Sequence, residues 1–185
     1  MDAHQVERVY RALETFRIEV PSWGFANTGT RFGKFLQPAA AATVEEKFSD
    51  AGTVHSLTGV CPTLALHVLW DCPNGVDSAA EITALSERYG VRPGSINPNL
   101  FEEQIYKFGS FGNPDKSIRD RALKQTKDSI RIARRLNSRD ISLWFADGSN
   151  YPGTANIRHR KRWFEECLKE LCAELDDGKR LLLEY

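Results

Sequence analysis

Residues Arg139-Asp140-Ile141-Ser142-Leu143-Trp144-Phe145-Ala146-Asp147-Gly148-Ser149-Asn150-Tyr151-Pro152-Gly153-Thr154 decide the fold. Ile141 to Phe145 is a short apolar run with a β-branched residue and two aromatics, flanked by charge. That pattern predicts a buried strand. Asp147, Gly148, Ser149, Asn150, Pro152 and Gly153 then crowd into seven residues, which is turn chemistry. A strongly periodic helix follows from Asn156. Strand, long polar loop and helix make one βα unit, and the loop at the strand's C-terminal end is where such folds keep their chemistry. Trp144 is therefore either core packing or the apolar wall of a small-ligand pocket. Asp147-Gly148 is either a plain turn or part of that loop mouth.

The 185 residues are 41% hydrophobic and 27% charged, enough for one domain with a real core. Lys and Arg together number 25 and so do Asp and Glu, a balance that argues against nucleic acid or an anionic membrane as partner. No apolar run approaches the roughly 20 residues of a membrane span. The N-terminus, Met1-Asp2-Ala3-His4-Gln5-Val6-Glu7, reads as a polar helix start and not as a signal peptide. Cys61, Cys72, Cys167 and Cys172 form no Cys-x-x-Cys pair, which predicts reduced thiols and a cytoplasmic protein.

The same strand–helix alternation runs through the chain. Residues 2–13 predict an amphipathic helix with Val6, Val9, Tyr10 and Leu13 on one face. Phe16 to Val20 predicts a strand stopped by Pro21. Residues 21–42 lack a helical period and hold Trp23, Phe25, Phe32 and Phe35 among glycines. They form a long loop that either meets a ligand or another subunit, or folds back on its own barrel. The capping box Thr43-Val44-Glu45-Glu46 opens a helix expected to fade at Gly52. Thr63 to Trp70 predicts a second strand, apolar except for His67. That histidine is either a core residue bonded to a carbonyl or an inward group facing a site. Ser78 with Glu81 opens a helix ending at Gly90, and Gly94 to Leu100 is a weaker third strand. Asn97 and Asn99 on it are turn caps, or amides offered to a sugar or a metal-bound water. Residues 101–112 are a second aromatic loop, and Asn113-Pro114-Asp115 opens a helix to about Asn137. Arg158 to Arg162 put cations in the first turns of the helix from Asn156. That reads as a salt-bridged face, a subunit contact or a phosphate site. Lys179 to Tyr185 is a fifth strand.

Crossovers of this length demand parallel strands and right-handed connections. No Gly-x-Gly-x-x-Gly follows a strand, and the polar, aromatic loops after strands one, three and four favour a barrel. The predicted fold class is α/β: an N-terminal helix plus (βα)4β, a partial (β/α)8 TIM barrel ending at strand five. Residues 1–185 form one domain, with the helix at 1–14 and a long active-site or interface loop at 21–42.

Several segments carry a resemblance. They are Pro21-Ser22-Trp23-Gly24-Phe25-Ala26-Asn27-Thr28-Gly29-Thr30-Arg31-Phe32, Leu66-His67-Val68-Leu69-Trp70-Asp71, Ser95-Ile96-Asn97-Pro98-Asn99, Leu143 to Gly153, and Leu183-Glu184-Tyr185. Together they resemble the L-rhamnose isomerases of the kind found in pseudomonads, which are xylose-isomerase-like (β/α)8 barrels. The resemblance implies a sugar isomerase that interconverts L-rhamnose and L-rhamnulose by a hydride shift, with loose specificity for other aldoses and ketoses. It implies Mn2+ or a similar divalent ion, a homo-tetramer and a small-molecule sugar as ligand. It matches Glu184 to a metal ligand at the end of strand five. It matches His67 to a base near the sugar ring oxygen, Trp23 and Trp144 to substrate-binding walls, and Phe32 to an aromatic lent by a neighbouring subunit.

The family's barrel has eight strands and two aspartates and a histidine that join the glutamate on the metal. The lysine that follows that glutamate by two residues is absent here. The expectation for this chain by itself is that it is inactive and associates through uncovered edges. The alternatives are a non-catalytic half-barrel acting only by association, or a metal-dependent epimerase or phosphate-ester hydrolase of the same superfamily.

Overall fold

The structure, a computed structural model, describes residues 2–27, 36–148 and 155–184. Five parallel strands stand in chain order in one sheet: β1 Glu19–Pro21, β2 Thr63–His67, β3 Arg92–Asn97, β4 Asp140–Trp144 and β5 Arg180–Glu184. This order decides between the two parallel architectures. A doubly wound sheet reverses its order at a switch point, whereas an unbroken run of sequential parallel neighbours is an arc of a barrel. The helices are α1 Ala3–Thr15, α2 Val44–Thr58, the single turn α3 Val68–Asp71, α4 Ala79–Tyr89, α5 Lys116–Arg135 and α6 Ile157–Glu174.

Alternation along the strands separates two faces. Leu64, Leu66, Ile96, Ile141 and Leu143 form one fully buried set. They share a cluster with Phe48 and Ala51 of α2, Ile82 and Leu85 of α4, Ile130 and Ala133 of α5, and Leu171 of α6. The other face carries Ala65 and His67 of β2, Ser95 and Asn97 of β3, Ser142 and Trp144 of β4, and Glu184 of β5. Register aligns the ends, with His67 opposite Asn97 and Trp144 opposite Glu184. Gly94 sits at an irregularity in the β2–β3 register. A Cβ there would stand 1.9 Å from a carboxylate oxygen of Glu19. Only glycine leaves room for that carboxylate, which accepts from the Ser95 amide at 2.9 Å and the Ser95 hydroxyl at 2.5 Å.

Caps set some boundaries as the sequence predicts. The Thr43 side chain and Glu46 close a reciprocal capping box on α2, and Asn156 accepts from the amides of Arg158 and His159. Others differ. Ser78 makes no side-chain cap on α4, because it ends a 3-10 turn that runs straight into the helix, and β3 is Arg92–Asn97 instead of Gly94–Leu100. α2 passes through Gly52 and ends at Gly59 in the left-handed region. Gly52 is instead a contact point, since a Cβ there would lie 2.8 Å from the Tyr89 carbonyl oxygen. β2 stops at His67, and Val68 to Asp71 wind into α3, so Trp70 lies on a helical turn. β1 is only Glu19–Pro21, because α1 extends to Thr15 and Phe16 caps it. α5 is capped by Asp115, while Asn113 accepts from the Asp115 amide one turn earlier.

Both sheet edges are open among the described residues. β1 and β5 each pair with one strand, and Leu183 on β5 is 50% exposed. α1 buries no residue, leaving Val9, Tyr10 and Leu13 in solvent. No helix of the described residues is long and apolar enough to cross a membrane.

Candidate active site

The C-terminal ends of β1 to β4 bring five rings together. Trp23 follows β1, His67 ends β2, Trp70 lies on α3, Phe101 follows β3 and Trp144 ends β4. The His67 imidazole stacks on Trp70 with centroids 3.7 Å apart. Trp23 meets it edge-on at 6.1 Å and Phe101 at 6.0 Å. Phe101 then stands perpendicular to Trp144 at 4.5 Å, so the rings run unbroken across the strand ends. Of the residues singled out in the sequence, Trp23, His67 and Trp144 share this wall. Trp70 and Phe101 join them although neither stood out as a site residue. Trp70 was visible as the aromatic that ends the predicted second strand, and Phe101 as the one that follows the predicted third.

His67 is 3% exposed, and neither ring nitrogen has a hydrogen-bond partner among the described residues. The core reading, a bond to a backbone carbonyl, is therefore not what forms. Burial is the main force on its basicity. It pushes the imidazole down to about 4, against a smaller upward pull from the Asp71 carboxylate and with a further downward push from the Lys47 ammonium. At neutral pH the ring is uncharged and its free nitrogen can accept a proton.

Asp71 does not touch the imidazole. Its carboxylate accepts from the His67 backbone N–H at 2.7 Å, from Lys47 Nζ at 2.6 Å and from the Ser22 hydroxyl at 2.5 Å, all buried. Asn97 donates to the Leu66 carbonyl at 3.1 Å, tying β3 to β2. Asn99 accepts from the Glu102 amide at 3.2 Å as a turn cap, while its buried Nδ2 has no partner among the described residues. Asp147 shapes a loop. It accepts from the Ser110 amide at 2.8 Å, the Ser110 hydroxyl at 2.7 Å and the Gly112 amide at 2.7 Å. Gly109 holds a φ of 106° and lies so close that a Cβ would come within 2.7 Å of the Asp147 carboxylate.

Glu184 lies opposite Trp144 at the other end of the wall, exposed on β5. No group of three or more His, Cys, Asp or Glu that could hold a metal occurs among the described residues. A divalent ion of the Mn2+ kind takes about six ligands, so the residues described here do not by themselves fit one. Phe32 falls outside the described residues. The described ends of its loop are clasped together. The Asn27 side chain donates to the Gln37 carbonyl and accepts from the Gln37 amide, each at 2.9 Å.

Two cavities bounded by described residues lie elsewhere. One of about 290 Å3 sits between α3 and α5 beside Cys72, whose thiol burial pushes up to about 12 and so keeps protonated. The other, of about 460 Å3, is at the N-terminal ends of the strands among Glu19, Arg92 and Arg139. Barrel chemistry belongs to the opposite end of the strands. The aromatic wall is there, and it holds the uncharged, unpartnered imidazole.

No known family model matches the chain. The chain is similar to a probable sugar isomerase of Rhizobium meliloti (strain 1021), 28% identical over 188 residues that cover 97% of this chain and 42% of that protein. A probable sugar isomerase of Mesorhizobium japonicum is 29% identical over 187 residues, with the same two shares. The chain thus spans about two fifths of the length of these curated relatives. Among solved structures it is similar to the E. coli 3-keto-D-glucoside 4-epimerase, at TM-score 0.61 and 13% identity over 91% of this chain and 56% of that one. A xylose isomerase domain protein of Alicyclobacillus acidocaldarius aligns at TM-score 0.55 and 15% identity over 92% of this chain and 50% of that one. The fold is that of these barrels. The five parallel strands in chain order form an arc of such a barrel.

Proposed function

We propose that this chain supplies the first side of the active site of a sugar isomerase that interconverts an aldose and a ketose, with L-rhamnose and L-rhamnulose as the pair. The observation that carries the reading is the buried, unpartnered and uncharged imidazole of His67 inside a wall of Trp23, Trp70, Phe101 and Trp144. Aromatic faces pack against the C–H faces of a sugar, and a few convergent polar groups fix its orientation. Leaving both imidazole nitrogens bare costs stability in the free protein. A sugar hydroxyl satisfies one of them. The same contact lets His67 take the hydroxyl proton as the ring opens. Trp23 and Trp144 hold the sugar from either end, and Phe32 is proposed as the aromatic lent by a neighbouring copy in a homo-tetramer.

Glu184 is proposed as one oxygen ligand for Mn2+. A single carboxylate does not hold such an ion, so no step of the reaction is assigned to it through this chain's residues. The four free cysteines fit the reducing cytoplasm in which we place the protein.

A second reading has its own support, because the E. coli structure that resembles this chain is named an epimerase. Inverting one carbon and moving a carbonyl between two carbons give different products. The test is to titrate the chain with L-rhamnose, L-rhamnulose and a panel of other aldoses and ketoses, following the His67 ring protons by NMR. The expected result is a saturable shift with L-rhamnose and L-rhamnulose. A flat response to every sugar refutes the reading. Incubation with and without Mn2+, followed by chromatography of the sugars, should show neither isomerised nor epimerised product, and the identity of any product that did form would decide between the two readings. The expectation for this chain alone is no turnover.

A further inference from the structure

Three side chains that the proposed chemistry does not use are buried directly behind the rings. Lys47 is on α2, 3% exposed, and ends 2.6 Å from Asp71 Oδ1. Ser22 and the His67 backbone N–H both donate to Asp71 Oδ2, at 2.5 and 2.7 Å. An ammonium on the same helix as the fully buried Phe48 and Ala51 is costly to bury without a partner. It is tolerated because the carboxylate faces it. Each strut of the network leads to a ring: Ser22 precedes Trp23, Asp71 follows Trp70, and the bonded amide is that of His67 itself. The carboxylate therefore joins the end of β1, the end of β2 and α3 through a single group.

We propose that Asp71, seated by Lys47, is a positioning residue that locks Trp23, His67 and Trp70 into one wall. It spends its oxygens on Ser22, on Lys47 and on the His67 amide, and so leaves both imidazole nitrogens to the ligand. This rests on the mouth being a sugar site. The competing reading is a plug that fills the interface between α2 and the strand ends and has no say in the wall.

The two readings differ in one class of variant. Replacing a buried ion pair by neutral or apolar groups frequently leaves stability intact. A plug would be replaced without consequence for the rings, whereas a clamp would not. Ser22→Ala removes one strut and strands no charge. Lys47→Met with Asp71→Ala removes the whole network. The His67 ring protons lie against Trp70 and report their mutual placement by NMR, with no ligand present. The expected result in both variants is a folded protein whose melting point falls only by what the lost buried hydrogen bonds are worth, with displaced His67 resonances and weaker near-ultraviolet tryptophan dichroism. Where wild type binds L-rhamnose, the Ser22→Ala dissociation constant should rise about tenfold, the worth of one ordinary hydrogen bond. Wild-type resonances and wild-type affinity in both variants would overturn the proposal. If the double variant does not fold, Ser22→Ala alone decides. If wild type binds no sugar, the sugar reading fails and the ligand-free resonances still judge the clamp.

Discussion

Acid should destabilise this protein through His67 in a way that a single substitution removes. The ring's pKa falls from the ordinary 6.5 to about 4, chiefly because burial disfavours the imidazolium. Asp71 pulls the other way and loses, since its carboxylate faces Lys47, Ser22 and a backbone amide instead of the ring. The difference is about 2.5, and one pKa unit is worth 1.36 kcal/mol, so charging His67 costs the folded state about 3 kcal/mol more than the unfolded chain. Because the folded pKa is depressed, the stabilisation is fully present above pH 6.5. It is lost as pH falls from 6.5 to 4, at up to about 1.4 kcal/mol per pH unit. The variant His67→Gln has no such titration. Its carboxylates still protonate in acid, so the informative quantity is the stability difference between wild type and variant. That difference should be constant above pH 6.5 and shift by about 3 kcal/mol against wild type by pH 4. Urea unfolding across that range measures it, and NMR of the His67 Cε1 proton should give a midpoint near 4. A midpoint near 6.5, or a difference that stays constant down to pH 4, would refute the argument that a dry, unpartnered ring faces the mouth.

Asp147→Asn should lower stability by about 2 kcal/mol, read in urea, because an amide nitrogen then replaces an oxygen that accepts from Ser110 or Gly112. Gly52→Ala should destabilise by about 1 kcal/mol in the same assay. The gain of about 1 kcal/mol in helix propensity is outweighed by overpacking of roughly 2 kcal/mol against the Tyr89 carbonyl. Leu183→Lys should reduce self-association in sedimentation without changing circular dichroism, since a charge on an exposed edge strand discourages pairing. An unchanged sedimentation profile would mean that β5 is not the associating edge.

The βα alternation was legible because each unit is local. Ile141 to Phe145 has a strand's length and composition, and Thr43, Gly90 and Asn156 signal helix ends with their own side chains or backbone. The end of β2 was not legible. Thr63 to Trp70 is apolar almost throughout, and a run without polar residues carries no period to tell a strand from the helical turn that follows it. Gly52 misleads for a tertiary reason, since the residue that requires glycine there, Tyr89, is on another helix. In the site, His67 stood out as the polar exception in an apolar strand and Trp144 as an aromatic at a strand end. The clamp left no such mark. Ser22 and Asp71 are 49 residues apart and Lys47 and Asp71 are 24 apart, and a lysine in the first turn of a helix reads as surface until the fold buries it.

The two ends of the sheet carry different polar networks. At the N-terminal end, Glu19 closes on Ser95, Lys179 donates to the Ser138 carbonyl at 2.8 Å, and Arg180 grips Asp140 through two bonds. These pairs tie β1 to β3 and β4 to β5. At the C-terminal end the scaffold behind the wall is equally closed, through Asp71 and Asp147. In front of that scaffold lie both nitrogens of His67, buried and unpartnered among the described residues. An unpaired buried polar atom costs about 1–3 kcal/mol, and His55 Nδ1, Asn99 Nδ2 and Arg160 Nη2 are others among the described residues. In the proposed sugar site a ligand hydroxyl repays one of the His67 nitrogens on binding, so the same two bare atoms that make the ring titrate low are the ones the sugar titration reads.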